Sequence, residues 1–432
     1  MSRNFVILTL IGFFCAGLFP VEGAVRKPNP STNIVWQHSF GGTSDDGAHC
    51  LRLTGDGGWV TAGFTQSTDG DIKEFAGKSD ALVIKYDSAG KVAWSRVYGE
   101  GERDVAYSIA LTSDGGYVFT GSTEHCTDED AHYCGSNDLW VVRLTAGGEV
   151  LWQKCFGGNH DEVGTGIQQT SDGGFIVVGT TCSSDGEEVG TTLGETDALV
   201  LKLDVNGELV WSKRLGGIGD DVGYGVQQTT DSGYVVTGRI DVGPETLGAL
   251  HGLGDVMIVR LDASGEVVWQ QHYGGTDEDI GYGVTQTTDG GFAVIGCTHS
   301  SDGDVRGNHG GNDVWALKLA ASGTLEFQHC YGGVDEEVGF AIHPLSDGDF
   351  IVAGQTHSVN GDLTTRNYRG ADLWLLRLDG ILNLRWQIPF GSRKTDVGHD
   401  VQAMPDGTFL VAGSGSPRDE IDVAAGRTGS DV

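Results

Sequence analysis

Residues 163–181, VGTGIQQTSDGGFIVVGTT, read as two β-strands joined by a tight turn. Ser171-Asp172-Gly173-Gly174 makes the turn, because an Asp-Gly pair lets the backbone reach positive φ at little steric cost. After a loop comes DALVLKLD (197–204), a nearly continuous apolar strand. Val205-Asn206-Gly207 then turns the chain into ELVWSKRLGG (208–217). This is one four-stranded antiparallel unit, and its fourth strand carries a tryptophan and ends on paired glycines.

The unit repeats every 58 or 59 residues, anchored at Trp36, Trp94, Trp152, Trp211, Trp269, Phe327 and Trp386. Its turn recurs at Asp56-Gly57, Asp114-Gly115, Asp289-Gly290, Asp347-Gly348 and Asp406-Gly407, with Asp231-Ser232 as a variant. A fixed period of this size means one supersecondary unit copied and packed against its neighbours. Glycine fills 71 of 432 positions, mostly at equivalent turns, so it reflects turn chemistry and not low complexity. Only 8 prolines and few helix-period stretches argue against a helical solenoid. The expected fold is all-β, a seven-bladed β-propeller of four-stranded antiparallel blades. The anchor lies where an indole fills the gap between blades, and Trp211→Ala is expected to cost about 3–5 kcal/mol, as for a buried aromatic.

The ends predict how the ring closes. TNIVWQHSF (32–40) is a fourth strand by itself, and Gly429-Ser430-Asp431-Val432 falls where a third strand should start. The N-terminal strand is therefore expected to complete the last blade and leave no open edge, with that blade short of its third strand. Residues 1–23 read as a secretory signal peptide: Arg3, an apolar run from Phe5 to about Phe19, then small residues before Ala24. Residues 24–31 are a linker and 32–432 a single propeller domain. The expected location is extracellular or periplasmic, with no membrane span.

The formal charge is −33, which removal of Arg3 and Glu22 leaves unchanged. Such an excess repels nucleic acid and anionic lipid while permitting cations and basic partners. The processed chain would hold seven cysteines, an odd number. Cys126 and Cys134 share the loop CTDEDAHYC, where a local disulfide suits an oxidising compartment. The remaining cysteines lie in or beside strands, where buried thiols are common.

Three repeated columns could carry chemistry. Asp46, Asp104, Glu162, Asp221, Asp279, Glu337 and Asp396 close the paired-glycine loops; if the next strand is innermost, they ring the channel mouth. Cation capture and capping of turn amides are both open, and capping is favoured because turn carboxylates commonly bond to backbone. Asp80, Asp138, Asp197, Asp255, Asp313, Asp372 and Asp431 open the third strands, with Lys85, Arg143, Lys202, Arg260, Lys318 and Arg377 five residues on. These basic groups read as inter-strand ion pairs or as chains snorkelling to the surface. The long loops repeat a polar phrase at 67–72, 300–305 and 358–363, where Asp69, Asp71, Asp302, Asp304, Asn360 and Asp362 are candidate calcium ligands. His299, His309 and His357 lie in the same loops and read as solvated. No Gly-x-Ser-x-Gly elbow or His-Glu-x-x-His pair occurs.

The phrase Leu203-Asp204-Val205-Asn206-Gly207-Glu208-Leu209-Val210-Trp211 resembles the tryptophan motif of quinoprotein (PQQ-like) propellers, with one residue fewer before the glycine. The repeats at 171–181 and 301–319 also resemble a broader group of secreted propeller-repeat proteins. The resemblance implies the fold over residues 32–432. The quinone-enzyme likeness stops at the turn, because no adjacent cysteine pair and no cofactor-binding set accompany it. The functional expectation is a non-catalytic, monomeric binding scaffold that takes a protein or glycan on its acidic, long-loop face. A quinone-dependent oxidoreductase, a carbohydrate-active enzyme and a structural envelope spacer are the alternatives.

Overall fold

Apolar patterning sets the depth of each strand. Asp197–Leu203 is buried at every position, as a strand with neighbours on both sides and sheets above and below must be. Leu209–Leu215 is mostly half-buried and exposes Val210, as the outer edge of a sheet does. The computed structural model describes residues 4–11, 33–125, 136–186, 193–241, 252–363, 370–392, 394–415 and 422–423. Those residues form strands, turns and loops; no helix occurs among them, so none there is long and apolar enough to cross a membrane.

Six blades, where the repeat predicts seven, are built from four consecutive strands each. They span Asp46–Tyr98, Asp104–Phe156, Glu162–Leu215, Val222–Tyr273, Asp279–Tyr331 and Glu337–Gly391. Every strand pairing within a blade is antiparallel, and the first strand of each blade lies innermost, against the first strands of its neighbours. The Asp-Gly turns adopt the expected geometry, with Gly173 at φ 84° and the variant Ser232 at φ 69°.

The remaining sheet is assembled from both ends of the chain. Val397–Ala403 and Thr408–Gly415 supply its inner strands, and Asn33–Phe40 its outer one. The third-strand position, expected to be missing, is filled by Asn4–Ile11, from within the segment read as a signal peptide. Its register copies that of a repeat: Asn4 faces Gly415 and Thr9 faces Trp36, as Asp197 faces Thr181 and Lys202 faces Trp211. Export signals and buried third strands both require an uninterrupted apolar run, so one sequence satisfies either. Asp422–Val423 pairs instead with Phe390 and Gly391 at the edge of the sixth blade.

The tryptophans bridge blades, but they are half-buried because they stand on edge strands. Trp152, Trp211 and Trp269 meet Phe175, Tyr234 and Phe292 of the next blade edge-on, at 5.8, 5.8 and 5.7 Å between ring centroids. The following turn packs on the same indole. A Cβ at Gly207 would lie 2.9 Å from the Trp152 ring, so this glycine is required by close approach. Where Phe327 replaces tryptophan, 41 % exposed, the equivalent turn position is Leu382, fully buried and held at φ 69°.

The basic column forms ion pairs with the hairpin aspartates. Lys85–Asp56, Lys202–Asp172 and Lys318–Asp289 lie at 2.9, 3.0 and 2.9 Å, each joining a buried amine to an exposed carboxylate. Arg143, Arg260 and Arg377 repeat the pattern with Asp114, Asp231 and Asp347.

Candidate functional site in the central channel

The innermost strands bring three layers of side chains around the axis. The first is the acidic column. Asp46, Asp104, Glu162, Asp221, Asp279, Glu337 and Asp396 are all buried, and each accepts a backbone N–H from four residues earlier, at 2.5–3.1 Å. Ser67 and Ser300 donate hydroxyls to Asp46 and Asp279 at 2.8 and 2.9 Å, and Thr181 and Thr356 do so to Glu162 and Glu337 at 2.6 and 2.9 Å. The carboxylates thus latch each paired-glycine loop to the end of the second strand. Burial pushes Asp104 up to about 6 and Asp221 up to about 7. The carboxylates presented to solvent lie one residue earlier: Asp161, Asp220, Glu278 and Glu336 are exposed and Asp45 half-exposed.

The polar phrases of the long loops pack onto the same glycine loops. Asp69, Asp302 and Asn360 accept N–H bonds from Thr43, Thr276 and Val334 at 2.8, 2.8 and 3.0 Å. Asp71 and Asp362 accept from Gly41 and Gly332 at 3.2 Å, while Asp304 contributes its backbone N–H to Gly274. These side chains staple loop to loop, and no cluster of three or more metal-ligating residues occurs among the described residues. His309 is more engaged than a solvated side chain: its Nδ1 lies 2.7 Å from buried Asp313. Cys126 and Cys134 lie outside the described residues. Cys155 is disulfide-bonded, an exception to the expected free thiols, whereas Cys50, Cys182, Cys297 and Cys330 are free.

The second layer is an aromatic collar that the sequence reading missed. Each innermost strand has a β-bulge three residues after its acidic latch, and the unpaired residue is His49, Tyr107, Thr165, Tyr224, Tyr282, Phe340 or His399. A bulge re-aims one side chain, here toward the axis. The rings form an unbroken arc across blade boundaries. Tyr107 stacks on His49 at 5.0 Å, and His49 meets His399 at 5.4 Å. His399 meets Phe340 at 5.2 Å, Phe340 meets Tyr282 at 5.4 Å, and Tyr282 meets Tyr224 at 4.8 Å. Thr165 fills the gap and donates its hydroxyl to Gly223 O at 2.6 Å. Burial lowers the His49 pKa, which keeps that imidazole neutral at physiological pH. An aromatic or imidazole at a fixed step in six of seven copies was a legible signal, but only the bulge turns that position inward.

The third layer breaks the repeat. Buried Asp400 accepts from Arg52 at 2.6 Å and from the Leu51 N–H at 2.9 Å, and lies 3.0 Å from His343 Nε2. Burial opposes ionisation of Asp400, yet the Arg52 charge and the bonds from His343 and Leu51 outweigh it and hold the carboxyl far below its usual range. Cys50 stands beside this cluster, with its thiol raised by burial and directed at Ile109 O. It is therefore a poor nucleophile. Arg52 is committed to Asp400 and so is not free to pair with the carboxylates of a pyrroloquinoline quinone.

No protein-family profile matches the chain. It is 28 % identical over 139 residues to the regulatory protein FlaEY of Caulobacter vibrioides, covering 31 % of this chain and 15 % of that protein. It is 31 % identical over 106 residues to a 1,6-alpha-glucosyltransferase of Sporosarcina globispora, covering 24 % of this chain and 8 % of that protein. The match thus spans a small fraction of either relative. Similar solved structures include the propeller domain of the Trilobed protease from Pyrococcus furiosus, with TM-score 0.43, 12 % identity and coverage of 88 % and 92 %. BamB from Moraxella catarrhalis gives TM-score 0.39 at 14 % identity, covering 84 % of this chain and 95 % of that one. A glucose dehydrogenase gives 0.39 at 9 % identity, covering 71 % and 92 %. Both enzymes and binding scaffolds are among these neighbours, and the propeller assignment rests on the strand pairing above.

Proposed function

We propose that the protein is a secreted, monomeric propeller that acts without catalysis, binding a protein or glycan through the acidic loop face around its channel mouth. One observation carries this reading. Asp161, Asp220, Glu278 and Glu336 are exposed around the mouth, with Asp161 and Glu336 also accepting from Ser136 and Asn312 and Glu278 paired with Arg239, while the acids one residue on accept backbone amides. On a chain of net charge −33, that face favours basic or neutral polar partners and repels nucleic acid and anionic membranes. Removal of residues 1–23 on export, which would withdraw the Asn4–Ile11 strand from the closing sheet, and calcium in the long loops belong to the same proposal.

The test is a binding and turnover screen of the exported protein. Its N-terminus is read by mass spectrometry, and it is probed on glycan and basic-peptide arrays at low and high salt. Binding that weakens with salt and is lost when Asp161, Asp220, Glu278 and Glu336 become their amides supports the proposal. Dye reduction with sugars or alcohols in the presence of quinone and calcium would overturn it. Titration calorimetry without calcium heat would remove the metal.

A further inference from the structure

The collar has a property the acidic face lacks: its rings stand around an axis where an approaching group is surrounded. Six rings in seven positions, with neighbouring centroids 4.8–5.4 Å apart, form an arc whose gap is the Thr165 position. Seven positions at that spacing put the axis roughly 6 Å from each ring centroid, the outer range over which an aromatic ring attracts a cation. Tyr107 is 36 % exposed and the other rings are half-buried, so the collar lines accessible space and is not sealed core.

Charge along the axis favours the same ligand. Ahead of the collar the exposed Asp161, Asp220, Glu278 and Glu336 and half-exposed Asp45 outnumber the two rim arginines, exposed Arg103 and the Arg239 that pairs with Glu278 at 3.0 Å. The His49 imidazole stays neutral because burial lowers its pKa. Beyond the collar, Arg52 is paired with Asp400 at 2.6 Å. A cation entering past the exposed carboxylates therefore meets attraction and then a desolvating aromatic ring.

We propose that the channel is a binding site for an ammonium or guanidinium group, held at the collar of Tyr107, Tyr224, Tyr282, Phe340, His49 and His399. The group enters past the exposed carboxylates, as a free organic amine or as a lysine or arginine side chain of a bound partner. This site deepens the binding role proposed above and rests on it for the direction of entry.

The test titrates the full chain with tetramethylammonium, its neutral isostere tert-butanol, N-acetyl-lysinamide and N-acetyl-argininamide, read by calorimetry and by aromatic proton shifts. Tetramethylammonium should bind and tert-butanol should not. Tyr282→Leu combined with Phe340→Leu should weaken binding roughly tenfold, as loss of two cation–π partners predicts, with an unchanged melting curve as the folding control. If that variant unfolds, Tyr107→Leu, at the exposed end of the arc, is the substitute. The two amino-acid amides separate a side-chain ligand from a free amine, and binding of either kind supports the site. Equal affinity for tert-butanol, or retention of binding in the collar variants, overturns it. In that outcome, partner binding that still depends on the rim carboxylates leaves the proposed function standing.

Discussion

The six contiguous blades and the sheet that closes the ring solve the same packing problem by different means. In a contiguous blade, hairpin aspartate pairs with a buried Lys or Arg of the third strand, as Asp172 does with Lys202. At the closing sheet, Asp406 has Thr408 as its hydrogen-bonding partner, and no basic side chain reaches it among the described residues. Instead, Arg52 of the first blade reaches Asp400 of the closing sheet, and His343 of the sixth blade reaches it from the other side. Repeats hold themselves by local pairs, whereas closure is held by one buried carboxylate shared among three blades. The lesson is that the point where symmetry ends is where unique side chains become necessary.

The largest test of that contrast is Asp400→Ala. It leaves Arg52 partly buried without its partner, and should lower stability by about 3 kcal/mol in urea unfolding. A loss below about 1 kcal/mol would show that strand pairing alone closes the ring. Next, Trp211→Ala in a contiguous blade and Trp36→Ala in the closing sheet should each cost about 2–3 kcal/mol. That range lies below the cost of a fully buried indole because both rings are half-exposed. A clearly smaller loss for Trp36 would mean the composite sheet wedges more loosely than the repeats.

A third comparison is internal to the repeats. Phe327→Trp and Leu382→Gly together restore the pair seen at the other junctions, and a double-mutant cycle should show favourable coupling of about 1 kcal/mol. Additive effects would break the link between ring size and turn residue. Fourth, Lys202→Met should cost about 1 kcal/mol, since its partner carboxylate is largely exposed, whereas Asp406→Ala should cost about half as much. Although burial opposes it, bonds from Thr170, Lys202 and Gly174 hold Asp172 down at about 2. Its contribution is therefore present above the unfolded value near pH 4 and lost as pH falls toward 2.

A pH-dependent effect runs the other way. Asp221 sits at about 7 and Asp104 at about 6 because burial favours their neutral forms. The folded state then binds protons more tightly than the unfolded one. The stability this brings is full below about pH 4 and is lost as pH rises through 6 to 7. Melting temperature should fall by a few degrees between pH 5 and pH 8, and Asp221→Asn should flatten that slope. An unchanged slope in the variant would assign the pH dependence to net charge.

Much of the fold was legible because the Asp-Gly turns, the apolar third strands and the 58- or 59-residue period are local properties of each copy. The collar was not read, although its residues repeat at a fixed step, because alternation along a strand says nothing of a bulge. The capping role of the acidic column was legible from its place in the turn, but whether Asp221 or Asp220 meets water depends on where the glycine loop folds back. Arg52, Asp400 and His343 carried no signal, since up to 348 residues separate partners that only ring closure brings together.

The amino-acid order alone determined the repeated unit, its turns and the strand that carries each bridging indole, because short-range backbone preference and apolar spacing suffice for those. Tertiary structure decided how many blades are contiguous, which segment sits in the last third-strand position, and which carboxylates face solvent. Those outcomes depend on contacts between distant copies, and near-identical copies offer no local clue to which of them will differ.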